Sequence, residues 1–337
     1  MIRSRLTWLV LSVGLVLSAG LPLRGGEPVD LKRRGNQVAV LIGGKPFATY
    51  YFGPEAPKPY LHPLHSAQGI VVTRGFPMRK DIPGEGTDHP HHRALYFAHG
   101  DVNGVDFWTE AAFEEKAPVQ AGGKQYFAAG GLPKGRTVFR KLEEVRGGAD
   151  SGTIRALFDL VGPDGKVIAQ ETQAYVFRGE ASTRTIDCEF TVRALAVPVK
   201  MGDTKEGTFA IRVVKALEEP NVRMLNSEGA AAEKQIWGKR AKWVDYSGTV
   251  EGAKLGIAIF DNPSNPKHPT YWHARGYGLF AVNPFGEHDF YNDSKRDGSI
   301  TIPAGGSLTF RYRVFIHNGD AAEAKVADAY DRYAANP

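Results

Sequence analysis

The sequence holds one cysteine, Cys188, in 337 residues. One thiol excludes an intramolecular disulfide, so a large core rather than covalent staples must stabilise the chain. Its setting, "TIDCEFTV", alternates as a strand does and predicts a buried, inert thiol. Charge of one sign is also scarce in excess: 42 Lys and Arg stand against 37 Asp and Glu, a formal net charge of +5. The basic residues nowhere form the long run of a nucleic-acid arm, which argues against a nucleic-acid partner. Long apolar runs are missing apart from "LTWLVLSVGLVLSAG", which follows Arg3 and Arg5 and precedes the break "LPLRGGEP". That run is shorter than the roughly 18 to 20 residues that cross a bilayer, and its flanks are those of a secretory signal peptide. No cysteine follows it to take a lipid anchor. The expectation is a signal peptide and short linker over residues 1–26, cleaved between Ala19 and Gly26. A single domain over 27–337 follows, exported to the periplasm or beyond, with no stable membrane span after cleavage.

What is present is β-rich. "QVAVLIGGKPFATYYF" reads as a hairpin around a Gly-Gly turn, and Pro163-Asp164-Gly165 as a tight turn between two alternating runs. Further runs, including "STRTIDCEFTVRAL", "TFAIRVV", "KLGIAIFD" and "SLTFRYRVFIHNG", follow without intervening helices. No fixed repeat or low-complexity linker divides them, which predicts one large antiparallel β-sandwich. The exception is "DAAEAKVADAYDRYAAN", where Ala327, Tyr330, Tyr333 and Ala334 recur at helical spacing. It predicts a terminal amphipathic helix over Ala321 to Tyr333, packed on the sandwich.

The chemistry lies in three separated segments. "DHPHHRALYFAHGDVNGVDFWTE" packs four of the ten histidines into twelve residues, with Arg74 shortly upstream. Histidine serves acid–base chemistry, metal binding and polar pockets alike. If Arg93 to His99 is a strand, His99 shares a face with Leu95 and Phe97 while Tyr96 and Ala98 point the other way. The second segment, "MGDTKEGTFAIRV", sets Asp203 and Glu206 at the mouth of a strand, where a carboxylate can act as a base or hold a hydroxyl. The third, "DNPSNPKHPTYWHARGYGLFAVNPFG", gathers Tyr271, Trp272, His273 and Asn283 around an aromatic hairpin. Rings stack on the apolar face of a sugar while amides and imidazoles bond its hydroxyls; the same composition also packs an ordinary β-sandwich.

Taken jointly, "DHPHHRALYFAHGDVNGVDFW", "GDTKEGTFAIR" and "DNPSNPKHPTYWHARGYGLFAVNPFG" resemble the bacterial DUF6807 family, often labelled PmoA-like or "methane oxygenase PmoA", over nearly the whole mature chain. The label names a membrane methane monooxygenase subunit, whereas this sequence has no series of apolar spans and no Cys-rich copper site. The resemblance implies a mainly β fold similar to the galactose mutarotase-like supersandwich. At Ala94 the family's pattern has Gly, as "HHRG".

Two classes of function follow. The leading one is a secreted carbohydrate-active protein that isomerises or cleaves a sugar derivative by acid–base catalysis, with a carbohydrate or sugar-derived small molecule as its partner. Glu206 is then the base and His92 or His273 the acid, as an imidazolium. Arg74, His89 and Asn283 orient hydroxyls, and Tyr271 and Trp272 stack. The other is a noncatalytic carbohydrate-binding module, in which the rings stack and the histidines merely bond. No cofactor is predicted; a divalent metal on His89, His91 or His99 with Glu206 is the alternative form of the enzyme.

Overall fold

The computed structural model describes residues 25–110, 120–121, 124–125 and 131–335, so nearly all of the expected signal segment, with its cleavage site, lies outside the described residues. Of the described residues, strand makes up 48% and helix 8%, which places the fold in the mainly β class. The local signals explain the elements. Gln37–Ile42 and Lys45–Tyr51 pair across Gly43 and Gly44, whose φ values of +58° and +74° lie in the region glycine enters without strain. Gly152–Val161 and Val167–Gly179 pair across the Pro163-Asp164-Gly165 turn, with Gly165 at φ +79°.

Two large sheets result. In spatial order the nine-stranded sheet runs Val29–Arg34, Gln37–Ile42, Lys45–Tyr51, Tyr60–Leu61, Leu95–His99, Gly207–Arg212, Leu279–Asn283, Thr270–Ala274 and Arg240–Ala241. The eight-stranded sheet runs Arg223–Asn226, Trp243–Val250, Ala253–Asp261, Ser307–Asn318, Thr183–Ala194, Val167–Gly179, Gly152–Val161 and Arg136–Arg146. The strand pairings in both are antiparallel. Alternation turns one side of each sheet inward, and aromatic pairs join the two layers: Phe97 with Phe190 at 4.3 Å, Phe209 with Tyr312 at 5.0 Å and Tyr246 with Phe280 at 4.3 Å between ring centroids. Such contacts contribute about 0.5–1.5 kcal/mol each beyond the burial itself. Cys188 points into this core, and burial pushes its thiol well above the ordinary value, as expected for an inert sulfur.

The terminal helix spans Val326–Ala334, five residues shorter at its start than the pattern predicts. Lys325, at φ +52°, breaks the helical path between the Ala321 turn and Val326. Its Val326, Tyr330 and Tyr333 cover Trp243, Phe260 and Phe315 on the outer side of the eight-stranded sheet. The outer side of the nine-stranded sheet is covered differently, by loops that carry the histidines. There Ala56, Tyr60, Tyr96, Ala98, Trp108, Ala210, Leu279 and Ala281 form a separate small cluster.

Candidate functional site

The site grows out of one cross-strand row. Tyr60 pairs with Tyr96, Tyr96 with Ala210, Ala210 with Ala281 and Ala281 with His273, so these five residues cross the outer side of the nine-stranded sheet in line. The two alanines between the polar ends are fully buried in the small cluster. Three strand spacings separate Tyr96 from His273, about 14 Å.

At the Tyr96 end, Asp88 organises the loop. Its Oδ1 accepts from Arg74 Nη1 and from Arg212 Nη2, each at 3.0 Å, and its Oδ2 faces His89 Nδ1 at 2.5 Å. Burial alone would raise this carboxyl, but the bond from His89 and the charges of Arg212 and Arg74 hold it well below the carboxylate range. The rings of Tyr277, His89 and His92 lie nearly parallel: His89 is 5.2 Å from Tyr277 and 4.7 Å from His92 between centroids. His91 meets His92 edge-on at 4.4 Å. Arg212 lies over Tyr277 at 4.8 Å, which closes the back of the stack.

Glu206 faces this stack from the loop before Gly207–Arg212. Its carboxyl is the charge shared by the surroundings of His89, Tyr96 and Tyr277. Burial raises it above the ordinary glutamate value, against the pull of Lys205 at 3.4 Å. Behind Tyr96, the ammonium of Lys58 sits 4.8 Å over the ring, donates to the Trp108 carbonyl and pairs with Glu110 at 3.4 Å. Burial lowers Lys58 to about 8 despite Glu110.

Not every residue singled out from the sequence takes its expected part. His89, His92 and Glu206 come together, and His273 lies on the same face at the far end of the row. His92 is buried, and its Nδ1 faces Arg212 Nη1 at 3.2 Å. Burial, reinforced by His91, His89 and the two arginines, pushes it well below the ordinary histidine value. His273 bonds the Lys205 carbonyl through Nδ1 at 2.8 Å and is lowered by burial to about 3. Burial thus disfavours the imidazolium form of both rings, against the acid role expected of them.

Arg74 is fully buried, and besides Asp88 it donates to the carbonyls of Phe76, Asp88, His89 and His92. It shapes the loop and does not reach a ligand. The Asn283 amide donates to Thr204 O at 2.9 Å and accepts from Phe285 N at 2.8 Å, so it braces the Glu206 loop instead of orienting a hydroxyl. Trp272 points into the inter-sheet core and donates to Ala241 O, because its neighbours Tyr271 and His273 take the outer side. It cannot stack on a ligand. Tyr271 is buried beside Phe290 and Tyr291 at the far end.

The alternative metal set is not assembled. His99 turns inward beside Phe285 and bonds Gly202 O through Nε2 at 2.9 Å, on the opposite side of its strand from the face that His89 and His91 border. Among the described residues no group of three or more His, Cys, Asp or Glu is placed to hold a metal ion. A cavity of about 350 Å³ does open elsewhere, on the outer side of the eight-stranded sheet beside Arg155, Arg311 and Arg313. Its charges are spent on one another, Arg313 on Asp187 at 2.5 Å and Arg311 on Glu189 at 3.0 Å, so it forms a paired surface ladder. The residues missed from the sequence are Asp88, Tyr96, Arg212 and Tyr277. Asp88 stood at the head of the histidine run, but nothing in the sequence brought Arg212 or Tyr277 to it.

Among solved structures the chain is similar to a galactose mutarotase-like protein from Clostridium acetobutylicum, with 9% identity and a TM-score of 0.39, over 87% of this chain and 99% of that one. It is also similar to a GH36 α-galactosidase from Geobacillus stearothermophilus in complex with raffinose, with 11% identity and a TM-score of 0.35, over 88% of this chain and 41% of that one. A third is a putative aldose 1-epimerase from Escherichia coli, with 10% identity and a TM-score of 0.26, over 86% of this chain and 98% of that one. No curated protein matches the chain. Residues 37–331 do match the model of DUF6807, described as a family of unknown function, and the chain belongs to that family.

Proposed function

We propose that the protein is an exported enzyme that isomerises or cleaves a sugar derivative by acid–base chemistry at the Glu206 and His89 pair. The observation that carries this reading is the placement of two unlike titratable groups within each other's field on one face of the sheet. Glu206 is a partly buried carboxyl that burial raises above the ordinary glutamate value, as suits a base. Opposite it, Asp88 accepts from Nδ1 of His89 and leaves Nε2 of that ring without a protein partner among the described residues. Asp88 behind Nδ1 fixes the direction of the ring: neutral His89 presents Nε2 as an acceptor, and once it has taken up a second proton the imidazolium, balanced by Asp88, donates that proton to the substrate. Export rests on the N-terminal pattern, and N-terminal sequencing of protein from a periplasmic extract tests it.

The purified mature protein is to be incubated with neutral and oxidised sugars, with NMR of anomeric and product signals. We expect turnover in the wild type and a fall of about 10²- to 10⁴-fold in Glu206→Gln, with the melting temperature kept. Saturable binding without turnover in the wild type would make the protein a binding module and overturn the enzymatic reading.

A further inference from the structure

A second cavity, of about 290 Å³, opens on the outer side of the nine-stranded sheet, over the strands Val29–Arg34, Gln37–Ile42 and Lys45–Tyr51. Alternation puts it on that side: Val38, Val40 and Ile42 belong to the inter-sheet core, so Ala39 and Leu41 face outward, and Lys32 and Thr49 flank Ala39 as its cross-strand partners. A bulge shapes one wall. Val40 pairs with Ala48 and Leu41 with Pro46, which leaves Phe47 out of the ladder. The Phe47 carbonyl accepts from the backbone N–H of His65 at 3.1 Å and from its Nδ1 at 2.8 Å, and this seats His65 beside Pro63 in the lining.

The lining divides by chemistry. Ala39, Leu41, Pro46 and Pro63 are its apolar part, and Lys32 and Arg34, both exposed, bring two positive charges. No Asp or Glu lines the cavity, and among the described residues neither cation has an ion pair or a side-chain hydrogen bond. The other cavity is built the opposite way, with Arg311 and Arg313 met by Glu189 and Asp187. An anionic group on a body with an apolar face answers both parts of this lining: its carboxylate meets the guanidinium and the ammonium, and its C–H face meets Leu41 and the prolines. The volume is at the low end of small-molecule sites, which suits one ring rather than a protein segment. Position ties the cavity to the candidate site. Thr49 and Tyr51 share one outward face, Tyr51 stacks on Tyr60 at 4.9 Å, and Tyr60 pairs with Tyr96. Two strand spacings, about 10 Å, lie between the strand of Thr49 and that of Tyr96.

We infer that this cavity binds a uronate residue of an acidic oligosaccharide, on the same sheet face as Glu206 and His89. The inference rests on the sugar reading of that face and names its substrate class, a saccharide chain that carries carboxylates. Lys32 and Arg34 hold the carboxylate, while the Thr49 hydroxyl and Nε2 of His65, without partners among the described residues, meet the ring hydroxyls.

Calorimetric titration of the purified protein at pH 7 with trigalacturonate and with neutral maltotriose tests it. Trigalacturonate should bind at least tenfold more tightly than maltotriose, and its affinity should fall at least tenfold in the double variant Lys32→Gln/Arg34→Gln. The melting temperature should stay unchanged there, because both side chains are exposed. Lys239→Gln/Lys242→Gln removes two exposed cations elsewhere and should keep the affinity within about twofold, which separates a built site from diffuse charge. Equal losses in the two double variants, or equal affinity for the two sugars, overturn the inference. Inorganic phosphate that displaces trigalacturonate at equal concentration reduces the cavity to an anion site and overturns it as well. Binding that depends on Lys32 and Arg34, in a protein that turns over no sugar, upholds the inference and removes the enzymatic reading; binding of neither sugar removes both.

Discussion

Asp88 shows how one short side chain can decide a site. It holds two buried guanidiniums and the His89 ring at once, and each of those groups in turn fixes another part of the loop. Replacing it with Asn keeps the volume but removes the counter-charge of Arg74 and leaves Arg212 only its longer contact with Glu218 at 3.7 Å; because Asp88 is itself partly exposed, the cost is at most the roughly 3–5 kcal/mol of breaking a buried set. Urea unfolding of Asp88→Asn at pH 7 should read that loss. The sign with pH is also set: a carboxyl held below its unfolded value contributes fully above about pH 4 and progressively less as acid protonates the unfolded chain and then the folded one. The gap between wild type and variant should therefore narrow progressively as the pH falls below about 4, and a gap that stays constant there would show that the contribution is not ionic. His99 illustrates what was readable at this scale, since alternation alone put it on the side of Leu95 and Phe97. Trp272 illustrates what was not: three ring residues in a row look like one platform, yet in a strand the middle one must face away from its neighbours.

The turn from the histidine cluster into the strand Leu95–His99 is the element on which the site hangs. His89 and Ala94 bracket it, both at positive φ, +45° and +39°. Ala94 is completely buried, and its carbonyl accepts from Arg212 N at 2.7 Å, which ties the turn to the neighbouring strand. A glycine here, as the resemblance leads one to expect, would suit this backbone, and the Ala in its place carries a cost. Left-handed geometry costs alanine about 1–2 kcal/mol. Its buried methyl returns about 0.8 kcal/mol and its stiffer unfolded chain about 0.4–1 kcal/mol. The terms nearly cancel, so Ala94→Gly should leave stability within about 1 kcal/mol of the wild type by urea unfolding. Ala94→Val, branched where neither the φ nor the packing admits it, should lose more than about 2 kcal/mol. If Val is tolerated as well as Gly, the turn does not hold this conformation.

Across the whole molecule, strands and tight turns were legible because alternation and Gly-Gly or Pro-Asp-Gly chemistry are local, whereas strand order is not. Gly207–Arg212 inserts between Leu95–His99 and Leu279–Asn283, both far from it in sequence, and only that insertion brings Glu206 and Arg212 to the histidines. The same burial that assembles the site loads the fold with neutral imidazoles. His62 and His99 are lowered by burial to about 4 and His273 to about 3, with His91 and His92 shifted the same way. A histidine whose folded pKa lies below its unfolded value of about 6.5 stabilises fully above that pH and loses its contribution as the pH falls toward the folded value. Glu171, raised by burial to about 7 in the inter-sheet core, acts in the opposite sense, because the folded chain takes up its proton first. Each group contributes at most about 1.4 kcal/mol per pH unit, and although burial raises Glu206 and Asp261 in the same sense as Glu171, the five histidines outnumber these three carboxyls and leave a net loss on acidification. Denaturant unfolding at pH 7, 6 and 5 should therefore show stability falling by about 1–3 kcal/mol per unit. His99→Leu, which deletes one of these protons, should flatten the slope. A level curve from pH 7 to 5 would mean that these rings gain protons as freely in the folded chain as in the unfolded one, and that the cleft is open to water at its base.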